Sequence, residues 1–245
     1  MSANLATFEV AAVIFFATLI RSSFGFGEAL FAVPLLALFI PIRVAVPLAA
    51  LLSITVALVI VVQDWRKIHA RSAGSLLIAT LFGVPLGLLL LKNVAEGTVK
   101  AVLAVVILAF AAYSLASRNP PELKNDRLAW LFGFSAGVLG GAYAMNGPPL
   151  VIYGTMRRWS PVNFRATLQG YFLPASAIVV LGYWSTGLLN AGVSRFYLLS
   201  LPSALVAIFI GRAINRRLSG RRFAFMLHVA LAVIGVVLLL EAFGV

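Results

Sequence analysis

Apolar runs of about 18 or more residues recur along this chain, each nearly free of charge and long enough to cross the hydrocarbon core of a bilayer as a helix. They are expected near 5–22, 44–63, 74–91, 98–117, 128–143, 165–184, 195–211 and 223–241. Two shorter apolar pieces, 28–40 and 147–157, adjoin interruptions rich in Gly and Pro. A membrane β-barrel would show alternating segments of about ten residues, whereas these runs are apolar on every face. Hydrophobic residues make up 62% of the chain and charged residues 11%, against about a quarter charged in an average soluble domain. The surplus must face lipid. The expected fold class is all-α: a polytopic helical membrane protein.

The formal net charge of +12 would suggest nucleic acid as a partner for a soluble chain. Here the Lys and Arg fall mainly in short connections between spans, the positive-inside pattern, so no nucleic-acid partner is expected. With the loop carrying Arg66, Lys67 and Arg71 placed in the cytoplasm, Arg118, Lys124 and Arg127 also fall inside. So do Arg157, Arg158, Arg165 and the cluster from Arg212 to Arg222, and Arg21 joins them. Arg43, Lys92, Lys100 and Arg195 remain outside. This parity requires 5–40 and 128–157 each to begin and end on one side, as hairpins or re-entrant pairs. Both termini are then extracytoplasmic, in an inner (cell) membrane. Residues 1–20 contain no Lys or Arg, so a cleaved signal peptide is not expected.

The halves resemble each other. Gly27 to Pro34 and Gly141 to Pro148 have the same spacing, and each pair precedes a basic residue that opens a long span, Arg43 or Arg165. Gly87 and Gly211 stand equally far before the last apolar run of each half. With the assigned directions, the chain divides into an N-terminal repeat, 1–120, and a C-terminal repeat of inverted topology, 121–245. Each starts with a broken-helix hairpin, as in many secondary transporters. A plain bundle whose Gly and Pro serve close packing is the alternative.

The segments that carry the chemistry are those running from Ser23 to Glu28 and from Gly140 to Pro149. Gly and Pro interrupt helices, and broken backbone at membrane depth must be buried in protein or line a wet cavity. The short pieces that follow would start as half-helices whose free N–H groups and positive dipole ends favour an anion. Gly25, Gly27, Gly141, Asn146, Gly147 and Pro148 are therefore the expected substrate-binding backbone. Ser53, Gln169 and Tyr171, with Thr55 and Tyr143, are neutral hydrogen-bonders suited to an oxygen-rich ligand or to helix packing. Arg43 and Arg165 can attract an anion or reach to the interface. Glu28 is a functional candidate because an acid at membrane depth is costly. It is either a proton carrier or a partner of Arg21 at a wet boundary.

These features resemble the TauE/SafE permeases, the sulfite exporter family. The likeness lies in the Gly-rich start of each half, the downstream Pro34-Leu35 and Pro149-Leu150, and the small and polar span that follows. It extends over nearly the whole chain. It implies a transporter of small sulfur-containing anions such as sulfite or organosulfonates, and favours export. Glu28 stands where the family more often has a small residue.

No catalytic or metal site is expected: there are two His and no Cys, no hydrolase elbow and no phosphate-binding loop. No cofactor is expected. The leading function is a secondary transporter of small anions, working by alternating access around a midplane site and driven by the proton gradient or the membrane potential. The alternatives are a passive anion channel and a substrate-free membrane scaffold. The expected partners are a small anion and the lipid bilayer, with a homodimer left open.

Overall fold

A computed structural model of the chain describes residues 3–64, 70–116, 121–215 and 221–243. Side chains at 3–6, 63–64, 70–72, 161–162, 165, 215 and 221–226 are outside that description. The basic side chains at 66–71 and 216–222, with Arg118 and Arg165, therefore lie outside the described residues.

All regular structure among the described residues is helical. The first half contains α1 (Ala3–Phe24), α2 (Glu28–Leu36), α3 (Ile42–Asp64), α4 (Ala70–Asn93) and α5 (Glu96–Ala116). The second contains α6 (Ala129–Tyr143), α7 (Gly147–Met156), α8 (Pro161–Ser185), α9 (Ala191–Asn215) and α10 (Arg221–Ala242). Six of these, α1, α3, α4, α5, α8 and α9, are long and apolar enough to cross a membrane. Large apolar side chains such as Phe16, Val62, Leu86 and Trp184 are exposed on their outer faces, as expected where the surrounding solvent is lipid. Helix α6 is shorter than these six. Its 15 residues reach about 22 Å at 1.5 Å per residue, short of a hydrocarbon core of about 30 Å.

The interruptions fall where Gly and Pro cluster. Gly25 and Gly27 have φ of 87° and 102°, a left-handed conformation that Gly adopts without penalty. They stop α1 and turn the chain into α2. The second interruption is made differently. Ala144, with a Cβ, takes φ 53° to close the end of α6, its N–H donating to Gly140 O at 2.8 Å.

Helix α4 packs along α6, α1 along α9, α3 on α8 and α5 on α10, while α8 also meets α4 and α3 also meets α9. The α4–α6 seam is made of glycines. A Cβ on Gly137 would lie 2.4 Å from Thr80 O, and one on Gly141 would lie 2.3 Å from Val84 O. Only absent side chains let the two backbones approach so closely. Tyr183 of α8 reinforces this seam by donating to Gly140 O and Gly141 O at 3.0 and 2.9 Å.

Two polar clusters mark the ends of the bundle. At one end Arg43 donates to the carbonyls of Leu91, Lys92 and Val94, and Lys100 pairs with Glu241 at 2.8 Å. By the start of α4, where Asp126 lies beside Ser75 and Ala79, Arg157 donates to Leu123 O at 2.6 Å and lies 3.2 Å from Asp126. Tyr153 also donates to Asp126.

Candidate functional site

The two interruptions meet. A cavity of about 30 Å³ is lined by Phe26, Gly27, Glu28, Ala29 and Leu30 from the first and by Ala144, Met145, Asn146 and Gly147 from the second. Arg21 of α1, Ser53 of α3 and Phe172 of α8 complete the wall. One water needs about 10–15 Å³ measured this way, so the space suits a compact group of a few atoms.

Arg21 dominates the site. It is 3% exposed, although its charge places it among the inner basic residues when the sequence is read alone. Its Nη1 donates to Glu28 Oε2 at 2.6 Å and to Ser53 Oγ at 2.7 Å, and its Nη2 donates to Gln169 Oε1 at 3.0 Å. The guanidinium also sits 5.1 Å from the centre of the Phe172 ring, within cation–π range. Nε has no hydrogen-bond partner. One donor of a buried cation is therefore unsatisfied, which is unusual because buried polar groups are nearly always paired.

Glu28 is also 3% exposed and accepts from Thr18 Oγ1 at 2.9 Å. It opens α2, where the backbone N–H groups of the first turn have no intrahelical partner and the helix dipole favours a negative charge. The internal carboxylate thus occupies the place that an external anion would prefer. The second helix start is poorer in donors. Asn146 precedes α7 without a side-chain cap, and Pro148 and Pro149 follow at once; neither proline has an N–H. Asn146 instead points back, donating to Ala136 O at 3.1 Å. The positive end of α2 carries more of the electrostatics than that of α7.

The remaining members form a supporting layer. Ser53 shares a hydrogen bond of 2.9 Å with Ser176, linking α3 to α8. Gln169 donates through Nε2 to Gly25 O, so one amide joins α8 both to the interruption and to Arg21. Among the residues expected from the sequence, Gly27, Glu28, Ser53, Asn146 and Gly147 line the cavity, and Gly25 and Gln169 adjoin it. Pro148 follows within α7. Gly141 is committed to the α4–α6 seam, Tyr171 bonds to Thr80 at 2.5 Å, and Tyr143 donates to Val99 O at 3.0 Å. Thr55 pairs with Tyr197 at 2.8 Å. Arg43 is held by carbonyls at the end of the bundle, and the side chain of Arg165 is outside the described residues.

Thr18, Phe172 and Ser176 join the site without having been singled out from the sequence, whereas Arg21, expected there only as a possible partner of Glu28 at a wet boundary, pairs with it while buried. For Arg21 a signal exists: it and Glu28 are opposite charges flanking the Gly25–Gly27 interruption, and neither adjoins a polar loop.

A family model described as "Sulfite exporter TauE/SafE" matches residues 10–238. A curated relative from Cupriavidus necator, described as "Probable sulfite/organosulfonate exporter TauE", is 28% identical over 151 residues. That match spans 61% of this chain and 58% of the relative, less than two thirds of its length. No solved structure matches the chain. The family match covers nearly the whole bundle, including both interruptions and the buried Arg21 between them: the chain belongs to the sulfite exporter TauE/SafE family of membrane transporters, which are not enzymes.

Proposed function

We propose that this protein is a secondary transporter that exports a small oxyanion, sulfite or an organosulfonate, and holds it on Arg21 between the starts of α2 and α7. The observation that carries this reading is a buried guanidinium with an unpartnered Nε in the wall of a small cavity. A planar guanidinium matches the paired oxygens of such anions, and ionisable groups at membrane depth are retained where they serve a pathway. The sulfur-oxyanion class and the outward direction rest on the family and on the relative's description.

The transport mode is alternating access around this site. The packing pairs support two inverted repeats, 1–120 and 121–245. Exchanging α1–α5 with α6–α10 turns the α4–α6 contact into α9–α1 and the α4–α8 contact into α9–α3, and both are present. The α3–α8 and α5–α10 contacts map onto themselves. Arg43, Lys92, Lys100 and Glu241 at one end fit an extracytoplasmic face, with Asp126 and Arg157 on the cytoplasmic side of an inner membrane and both termini outside.

The test is binding and flux with purified protein. Sulfite, sulfoacetate, taurine and simple carboxylates are titrated against the wild type and Arg21→Met, and efflux is then followed from liposomes. Saturable flux of a bound anion that disappears with Arg21→Met is expected. Fast, non-saturating flux would make the protein a channel, and absence of both binding and flux would make it a scaffold.

A further inference from the structure

Resting on that reading of the site, we infer that the transported species is a monovalent anion and that it is bound together with one proton, taken up by the Glu28 carboxyl. The empty site is electrically balanced: Arg21 and Glu28 are 2.6 Å apart and both are buried. An anion on Arg21 competes with the Glu28 carboxylate, whose Oε1 also accepts from the Thr18 hydroxyl. If Glu28 stays ionised, the site holds one uncompensated negative charge, a costly arrangement away from water. A proton on Glu28 restores neutrality and turns the carboxyl into a donor.

Among the described residues, the charged side chains of α3, α5 and α10 near α2 are engaged elsewhere. On α3, Arg43 is tied to the carbonyls of residues 91–94. Helix α5, which touches α2, has Glu96 and Lys100 paired with each other, and Lys100 also pairs with Glu241 of α10. His228 of α10 lies in a separate apolar cavity beyond Phe26, Gly27 and Leu30, alongside Phe31 and Leu231. Among the described residues, Glu28 is met by Arg21 and Thr18 of α1, with Ser53 of α3 bound to the same Arg21 Nη1.

The balance is simple: site plus monoanion plus proton gives a neutral complex, and release returns all three. A dianion would leave one negative charge even with Glu28 protonated. Hydrogensulfite and singly charged sulfonates meet the rule, whereas sulfate and sulfoacetate do not. Empty and loaded carriers are both neutral, so flux does not respond directly to membrane potential. Each anion carries a proton out with it, so export requires an outward anion gradient larger than any opposing pH gradient, as for a product made to high concentration inside the cell.

The experiment is calorimetric titration of the full-length protein in detergent with methanesulfonate, in two buffers of different ionisation heat. Binding to wild type and its loss in Arg21→Met test the site itself. About one proton taken up per anion is expected, and none would overturn the inference while leaving the site intact. Wild-type affinity should rise as pH falls, and Glu28→Gln should bind with no proton uptake and no pH dependence; continued uptake in that variant would overturn the assignment to Glu28. Sulfate should bind wild type at least about tenfold more weakly than methanesulfonate, the change that about 1.4 kcal/mol produces. Equal affinity would overturn the monovalent rule. Because the wild-type proton count needs no variant, the inference stays testable if Glu28→Gln does not fold.

Discussion

Replacing Arg21 by Met removes the buried cation at the junction of the two interruptions and keeps a side chain of similar length. Glu28 is left with Thr18 as its described donor, and Ser53 and Gln169 each lose the N–H that Arg21 supplied. Both charged side chains of the pair are at most 4% exposed, so water does not replace what is lost. Removing one partner of a buried pair costs about 3–5 kcal/mol. For a chain of this size about 1 kcal/mol corresponds to roughly 2–4 °C, so the melting temperature should fall by roughly 6–20 °C. The assay is thermal unfolding in detergent without anion, followed by tryptophan fluorescence. The double variant Arg21→Met/Glu28→Leu removes both charges and should recover most of the loss, since apolar replacement of a complete buried pair is often neutral. Neither variant should bind anion, which separates stability from function. A single-variant cost under about 1 kcal/mol, typical of an exposed pair, would refute the reasoning. So would a double variant no more stable than the single.

Gly141→Ala should destabilise the protein by about 1–3 kcal/mol or more, read as a lower melting temperature, because the new methyl meets Val84 O at 2.3 Å and Leu88 N at 2.9 Å. Tyr183→Phe removes the single hydroxyl proton shared between Gly140 O and Gly141 O at the end of α6 and should cost about 0.5–1.5 kcal/mol in the same melt, with anion affinity unchanged. The chain has no Cys, so single Cys variants report sidedness cleanly. In whole cells a membrane-impermeant thiol reagent should label Cys at Lys100 or Glu241 and spare Cys at Asp126; the opposite pattern would invert the proposed orientation.

The helices were legible because their cause is local. Runs of apolar residues long enough to span lipid announce themselves, and the pieces read as 28–40 and 147–157 appear as α2 and α7 with similar starts. The interruptions were legible for the same reason, since Gly25, Gly27, Pro148 and Pro149 act on their own backbone. The Arg21–Glu28 pair was one of two readings open to the sequence, but its burial was not legible, because counting charges assumes that a basic residue between apolar runs reaches water. Here it turns inward to Glu28, Ser53 and Gln169, the last of them 148 residues away in the chain. Phe172 was hidden more thoroughly: one aromatic in an apolar span gives no sign that its face lies near a cation. The α4–α6 glycines could be noticed, but which backbone each one meets is decided by packing.

Ala144 has a consequence for anyone wishing to stabilise this protein for crystallisation. A residue with a Cβ at φ 53° holds about 1 kcal/mol of backbone strain that Gly would not. Ala144→Gly is therefore an obvious stabilising change by backbone rules, and a screen for higher melting temperature would select it. Yet its methyl belongs to a residue that walls the cavity beside Arg21. Removing it enlarges a space of about 30 Å³ by roughly the volume of one methyl group and loosens the fit for a compact anion. Thermostabilised versions of this protein should therefore be checked for anion selectivity before their structures are taken to represent the working transporter.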